Sequence, residues 1–211
     1  MDKNYPNMRA IDTIVFDLGG VLIDWNPAYL YRKLFDNEEE MTYFLREICA
    51  PSWNEQQDAG RPLEEATAWL ANKHPEYEEM IRAYYGRWEE MLAGPIQETV
   101  RILEYLHQQN NHRLYALTNW SHETFPVAQT RYEFLNRFEG ILVSGEEKLI
   151  KPDPRIFRLL FTRFEIQPEH ALFIDDNPKN VAAAIQCGMQ GMQFHSPDQL
   201  QADLSSLGIL D

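Results

Sequence analysis

The residues of this chain best able to do chemistry are polar ones that end apolar runs. Asp17 closes DTIVFD, Thr118 and Asn119 follow RLYAL, and Asp175 with Asp176 closes ALFIDD. Lys151 comes in KLIKPDP, after a further apolar run, GILVSG (140–145). Adjacent carboxylates repel one another, and a divalent cation relieves that repulsion, so Asp175 and Asp176 point to a bound metal. Plainer uses compete with each reading. An aspartate after a strand is often a turn or helix-cap residue. Asp175 and Asp176 could simply precede a cap at Asn177, and Thr118 and Asn119 could cap a helix starting near Ser121. Lys151 could be a solvated loop lysine, and Lys148, three residues earlier, competes for any role given to it. These residues mean more together than singly.

The elements that must position them are short apolar runs alternating with longer helical patterns, the signature of an α/β sheet with crossover helices. Strands are expected at DTIVFD, RLYALT (113–118), GILVSG, ALFIDD and GMQFH (191–195). In an open parallel sheet, ligands bind beyond the carboxyl ends of the strands. Asp17, Thr118, Asn119, Asp175, Asp176 and the loop carrying Lys151 therefore converge on one rim. Helices between the strands open on a capping residue followed by proline: Gly94-Pro95, Asp153-Pro154, Asn177-Pro178 and Ser196-Pro197. After Asn177, VAAAIQC runs to a helix stop at Gly188. From Asn26 to Ala93 the patterns are helical and no strand is expected. So long a connection does not fit inside a compact sheet, so a helical subdomain at 25–94 is expected within an α/β core formed by 1–24 and 95–211.

The bulk numbers exclude some classes of function. At 44% hydrophobic and 25% charged residues, the 211-residue chain is an ordinary globular protein. With 19 Lys plus Arg against 33 Asp plus Glu, its formal charge is -14, which argues against a nucleic-acid partner. Small phosphorylated ligands stay open, because a local metal and one lysine outweigh a distant negative surface. The two cysteines, Cys49 and Cys187, form no disulfide framework or zinc spacing. MDKNYPNMRAID lacks a signal-peptide core, and no run is long enough to span a membrane, so a cytoplasmic setting is expected.

Taken in order, Asp17 in FDLGG, Thr118-Asn119, Lys151 in KPDP and Asp175-Asp176 resemble the four motifs of the haloacid-dehalogenase superfamily. The resemblance runs from Asp12 to the chain end, and the helical insertion matches a cap of that family. It implies a Rossmann-like parallel sheet flanked by helices, with an inserted α-helical cap. It also implies a phosphatase, dependent on Mg²⁺, acting on a small phosphorylated metabolite. Asp17 would attack phosphorus to form an aspartyl-phosphate. Mg²⁺ would be held by Asp17, the Gly19 carbonyl and Asp176, with Asp175 behind them or ligating directly. Lys151 would hold nucleophile and phosphate together, and Thr118 with Asn119 would donate hydrogen bonds to the transferring group.

One departure is informative. Phosphatases of the superfamily usually carry a second aspartate, the general acid, two residues after the nucleophile; here that position is Gly19. A branch that includes bacterial glucose-1-phosphate phosphatases has a similar Asp-Leu-Gly-Asn-Val motif and suggests a sugar phosphate, although Gly20 replaces its asparagine. Haloacid dehalogenases also lack the acid, but they work without metal and resemble Ser-Ser-Asn where this chain has Asp175-Asp176-Asn177. A non-catalytic phosphate-binding member is the third reading. Tyr84, Tyr85 and Trp88 are read as the core of the cap, while Trp25, Arg61 and Trp120 are candidates for facing substrate, as is His122 beside the second motif. Oligomeric state is left open by the sequence.

Overall fold

The structure, a computed structural model, describes residues 11–210. Residues 1–10, on which the reading of a leaderless start largely rests, lie outside that range. Strands β1 (Thr13–Phe16), β4 (Arg113–Thr118), β5 (Gly140–Val143), β6 (Ala171–Asp175) and β7 (Gln190–Gln193) form one sheet in the order β5-β4-β1-β6-β7. Every pairing in it is parallel. Buried on both faces, such strands read as continuous apolar runs rather than alternating ones. One face, Ile14 and Phe16 with Leu114, Ala116, Leu172 and Ile174, joins a core that includes Leu103 and Leu204. The opposite face, Val15 with Tyr115, Leu117 and Phe173, packs on Phe157 and Leu160. Phe157 and Phe173 meet edge to face at 5.5 Å. Truncating either to alanine would cost about 3–5 kcal/mol.

The chain steps from β1 to β4 and β5 on one side, then returns to β6 and β7 on the other. β1 is therefore the switch point, and the crevice at its carboxyl end is where an open α/β sheet takes ligands. Four helices are built around the sheet: α6 (Gln97–Gln109), α9 (Pro154–Phe164), α10 (Pro178–Gln186) and α11 (Pro197–Ser206). Three start as the sequence indicates. Asp153 accepts from the Arg155 N–H, Asn177 from Lys179 and Ser196 from Gln199, each with proline next in line. Gly188 follows the end of α10 at φ +100°, a conformation natural to glycine.

The Gly94-Pro95 pair behaves differently. It belongs to β3 (Leu92–Pro95), which pairs antiparallel with β2 (Ile23–Trp25), and α6 begins only at Gln97. Proline is tolerated in so short a two-stranded ribbon, where its missing N–H need not serve a neighbour. Between β2 and β3 run α1 (Ala28–Tyr31), α2 (Glu38–Tyr43), α3 (Pro51–Asp58), α4 (Leu63–Lys73) and α5 (Glu78–Gly86). α2 widens into a π-helical turn over Phe44–Ile48, and the helix expected to continue from α5 breaks after Gly86 into a 3₁₀ turn, Trp88–Met91. Aromatic rings hold the insertion together: Tyr31 lies 4.9 Å from Phe44, and Trp53 lies 5.2 Å from Tyr84. The expected strand GILVSG ends at Val143, because Ser144–Glu147 turn into the short helix α8. Among the described residues no helix is long and apolar enough to cross a membrane.

Candidate active site

The site grows from the carboxyl ends of β1, β4 and β6. Register carries Asp17 one step beyond Phe16, and its N–H donates to the Ile174 carbonyl at 2.8 Å. Lys151, 2% exposed, reaches this point from the loop between α8 and α9. Its Nζ lies 2.9 Å from Asp17 Oδ1 and 2.7 Å from Asp175 Oδ2, and it donates to the Leu117 carbonyl at 2.8 Å. Three partners match the three N–H groups of an ammonium. Lys148, the rival lysine, is exposed and ends α8 in a left-handed conformation at φ +56°. Of the two lysines, Lys151, favoured by its KPDP context and the resemblance, is the one placed against Asp17 and Asp175.

The two neighbouring acids differ. Asp175 is fully buried. Its Oδ1 accepts from the Asn177 N–H and Asn180 Nδ2, its Oδ2 from Lys151 and again from Asn180. Those four contacts fill the roughly four lone-pair directions of a carboxylate. Asp176 is exposed, and an oxygen from each of Asp17, Asp175 and Asp176 falls within a 4.8 Å group. At Asp17, Oδ1 takes both Lys151 and the Leu18 N–H, at 2.9 and 2.7 Å. Burial pushes the Asp17 carboxyl up to about 7, with Asp175 adding to the rise and Lys151 opposing it. Burial and the charge of Asp175 also raise Asp176. Carboxyls held toward their neutral forms in a cluster of this kind are short of positive charge. The donor set is hard oxygen, which suits Mg²⁺.

The turn after Asp17 makes room for this cluster. Gly20 has φ +75°, and a Cβ there would lie 2.7 Å from Asp176 Oδ2. Gly19 is the opposite case, since a Cβ at that position would meet nothing within 4 Å. Thr118 is buried at the end of β4, beside Val143. Asn119 does not cap a helix: the next one, α7 (Phe125–Arg131), begins six residues later. Its amide instead clamps the Lys151 main chain, accepting from the N–H at 2.8 Å and donating to the carbonyl at 3.0 Å.

Beside Gly19 and Asn119 a small cavity opens toward the insertion, walled by Trp25, Tyr85, Trp88 and Trp120. Trp25 and Trp120 thus face the space that their positions suggested. Tyr84, Tyr85 and Trp88, read from spacing as cap core, do pack there, with Tyr84 and Trp88 buried, and Tyr85 and Trp88 line the cavity as well. Arg61 is engaged within the insertion, donating to Gln57 and lying 6.0 Å over the Trp69 ring. His122 is exposed. Three wall residues had no signal in the sequence: Thr124, and Asn54 and Asp58 of α3.

A parallel α/β sheet with an acid cluster and a buried lysine at its switch point, under a helical insertion, defines a class of α/β hydrolytic enzymes. The sequence profile of the haloacid dehalogenase-like hydrolases matches residues 11–188, and the chain belongs to that family. The drimenol cyclase drtB of Aspergillus calidoustus is 26% identical over 203 residues, 93% of this chain. The chain spans only 36% of that protein's length. The sesquiterpene phosphatase astK of Aspergillus oryzae is 24% identical over 189 residues, covering 88% of this chain and 90% of the relative. In three dimensions, a HAD family enzyme from Bacteroides thetaiotaomicron, solved as a magnesium complex, superposes with a TM-score of 0.71 at 21% identity. That match covers 89% of this chain and 95% of the other, and it shows the fold.

Proposed function

We propose that the protein is a Mg²⁺-dependent phosphatase acting on a small phosphorylated metabolite through an aspartyl-phosphate on Asp17. The observation that carries this is the division of labour between the two adjacent acids. Asp175 spends its lone pairs on Lys151, Asn177 and Asn180, which leaves Asp176, with Asp17 and the Gly19 carbonyl, to hold the cation. Mg²⁺, when bound, neutralises the phosphate oxygens as two anions approach. The same acid pair disfavours haloacid dehalogenation, which needs no cation.

The chain's own residues do the rest. With Oδ1 fixed by Lys151 and the Leu18 N–H, Asp17 presents its other oxygen to phosphorus. The P–O bond to the alcohol breaks, water then attacks the acyl phosphate, and inorganic phosphate leaves. Lys151 offsets the charge of Asp17 before and during attack. The Thr118 hydroxyl donates to the transferring group, and Asn119 acts by positioning the Lys151 loop. The aromatic walls of the cavity suit an alcohol with an apolar face, and the likeness to a sesquiterpene phosphatase supports such substrates alongside sugar phosphates.

The test is turnover of p-nitrophenyl phosphate with and without Mg²⁺, in the natural protein and in Asp17→Asn. Turnover that needs Mg²⁺ and disappears in Asp17→Asn is the expected result. Equal activity in the variant, or cation-independent release of chloride from a 2-chloroacid in place of phosphatase activity, would overturn the reading.

A further inference from the structure

We propose that the carboxyl group of Asp58, carried by the helical insertion, is the general acid that Gly19 does not supply. The proposal rests on the phosphatase reading above and names the proton source for it. Asp58 and Gly19 line the same cavity, one from the insertion and the other from the nucleophile's loop. That cavity is small, about 70 Å³. By the same measure one water needs about 10–15 Å³, so the space takes a few small groups. Gly19 stands two residues after Asp17 and Asn119 follows Thr118, so the cavity adjoins the nucleophile's turn and the end of β4.

Asp58 is built into place. Its main-chain carbonyl accepts from the Ser144 hydroxyl at 2.6 Å, and that hydroxyl also accepts from the Trp120 N–H at 2.9 Å. Two residues on, a Cβ at Gly60 would stand 2.8 Å from the Gly145 carbonyl. The end of α3 is therefore seated on the loops after β4 and β5. The side chain ends a directed chain of hydrogen bonds. Arg61 donates to Gln57, Gln57 to the Tyr85 hydroxyl, Tyr85 to Asn54, and Asn54 to Asp58 Oδ2 at 2.9 Å. Tyr85 faces the same cavity, but its proton is committed to Asn54, and burial makes its hydroxyl far too weak an acid for use at neutral pH.

The surroundings also keep a proton on Asp58. Burial, followed by the nearby Glu55, raises its carboxyl to about 7, against an opposing bond from the Ser121 N–H. Tyr84 and Tyr85 face it from α5 as neutral groups. An acid poised near the working pH is the most effective kind. In the first step Asp17 forms its bond to phosphorus, and the electron pair of the breaking P–O bond goes to the alkoxide oxygen. That oxygen takes the Asp58 proton and leaves as the alcohol. In the second step the Asp58 carboxylate takes a proton from the attacking water, and both groups return to their starting forms as phosphate departs.

The experiment compares kcat/KM for p-nitrophenyl phosphate and for propyl phosphate in the natural protein and in Asp58→Asn. The nitrophenolate leaves with little help from an acid; the propoxide cannot. Asp58→Asn should lose about 10²–10⁴-fold on propyl phosphate and less than about tenfold on the aryl ester, which also reports the folded fraction of each sample. Should Asp58→Asn not fold, Asp58→Glu keeps an acid but displaces it, and the alkyl ester should again suffer more. Equal losses on both esters, or no loss on propyl phosphate, would overturn the assignment. A natural protein that turns over neither ester with Mg²⁺ would overturn the phosphatase reading itself.

Discussion

Asp58→Asn also makes a thermodynamic test that needs no substrate. The Asp58 carboxyl titrates at about 7 in the folded protein against 3.8 for an unperturbed aspartate, chiefly because it is buried. A folded-state value above the unfolded one means that the native state holds the extra proton between the two. Stability from this group is therefore full at low pH and is lost as pH rises toward 7. The slope is about 1.4 kcal/mol per pH unit within that window. From about pH 5.5 to 7 the natural protein should thus lose roughly 2 kcal/mol relative to Asp58→Asn, and little more above that. The amide cannot ionise, and taking the difference between the two proteins cancels every other titrating group. Urea denaturation at intervals of half a pH unit measures it. Parallel stability curves would refute the raised titration point of Asp58, and a natural protein that gained stability relative to Asp58→Asn as pH rose would reverse the sign.

Other expectations follow from the same geometry. Lys151→Met leaves Asp17 and Asp175 buried without their cation; it should cost about 3–5 kcal/mol of stability and abolish turnover, read by denaturation and by the aryl ester. Gly20→Ala sets a methyl group 2.7 Å from Asp176 Oδ2 at a φ of +75°. It should destabilise by about 1–2 kcal/mol and raise the Mg²⁺ concentration needed for half-maximal rate, seen by titrating the metal. Gly19→Asp has open space for its side chain, and with Asp58 already serving as the acid it should leave the ratio of propyl phosphate to p-nitrophenyl phosphate turnover nearly unchanged; a gain of about tenfold or more on propyl phosphate alone would count against Asp58 as the acid. Gly145→Ala forces a Cβ to 2.5 Å from the His122 nitrogen and should lower Tm, by the equivalent of about 1–3 kcal/mol.

What could be read from the sequence divides along physical lines. The five sheet strands were legible because burial on both faces leaves an uninterrupted apolar run, and Asp153, Asn177 and Ser196 were legible because capping is local. The β2–β3 ribbon was not, since Ile23–Trp25 and Leu92–Pro95 are short, mixed in polarity and paired across some 70 residues of helix. Gly94-Pro95 carries the same letters as a helix start; only the partner strand tells the two apart. Asn119 shows another limit: spacing brought it to the rim, but that its amide would close on the Lys151 main chain, 32 residues away, was not written in either segment.

Asp58 marks the deeper limit, and its position says something about how such a site divides its chemistry. When the acid sits two residues after the nucleophile, it is present whether or not a substrate has been enclosed. An acid on the insertion reaches the leaving group only while α3 is seated on the core, through the Ser144 hydroxyl and the close pass of Gly60 over Gly145. Proton delivery is then tied to closure, so an open enzyme holds an armed Asp17 and Lys151 but no donor. That coupling would slow hydrolysis of poor leaving groups whenever the site stands open. It leads to a direct expectation: Ser144→Ala, which removes the hydroxyl that donates to the Asp58 carbonyl, should depress turnover of propyl phosphate more than that of p-nitrophenyl phosphate. A uniform loss on the two esters would show that Ser144 supports the fold and nothing finer.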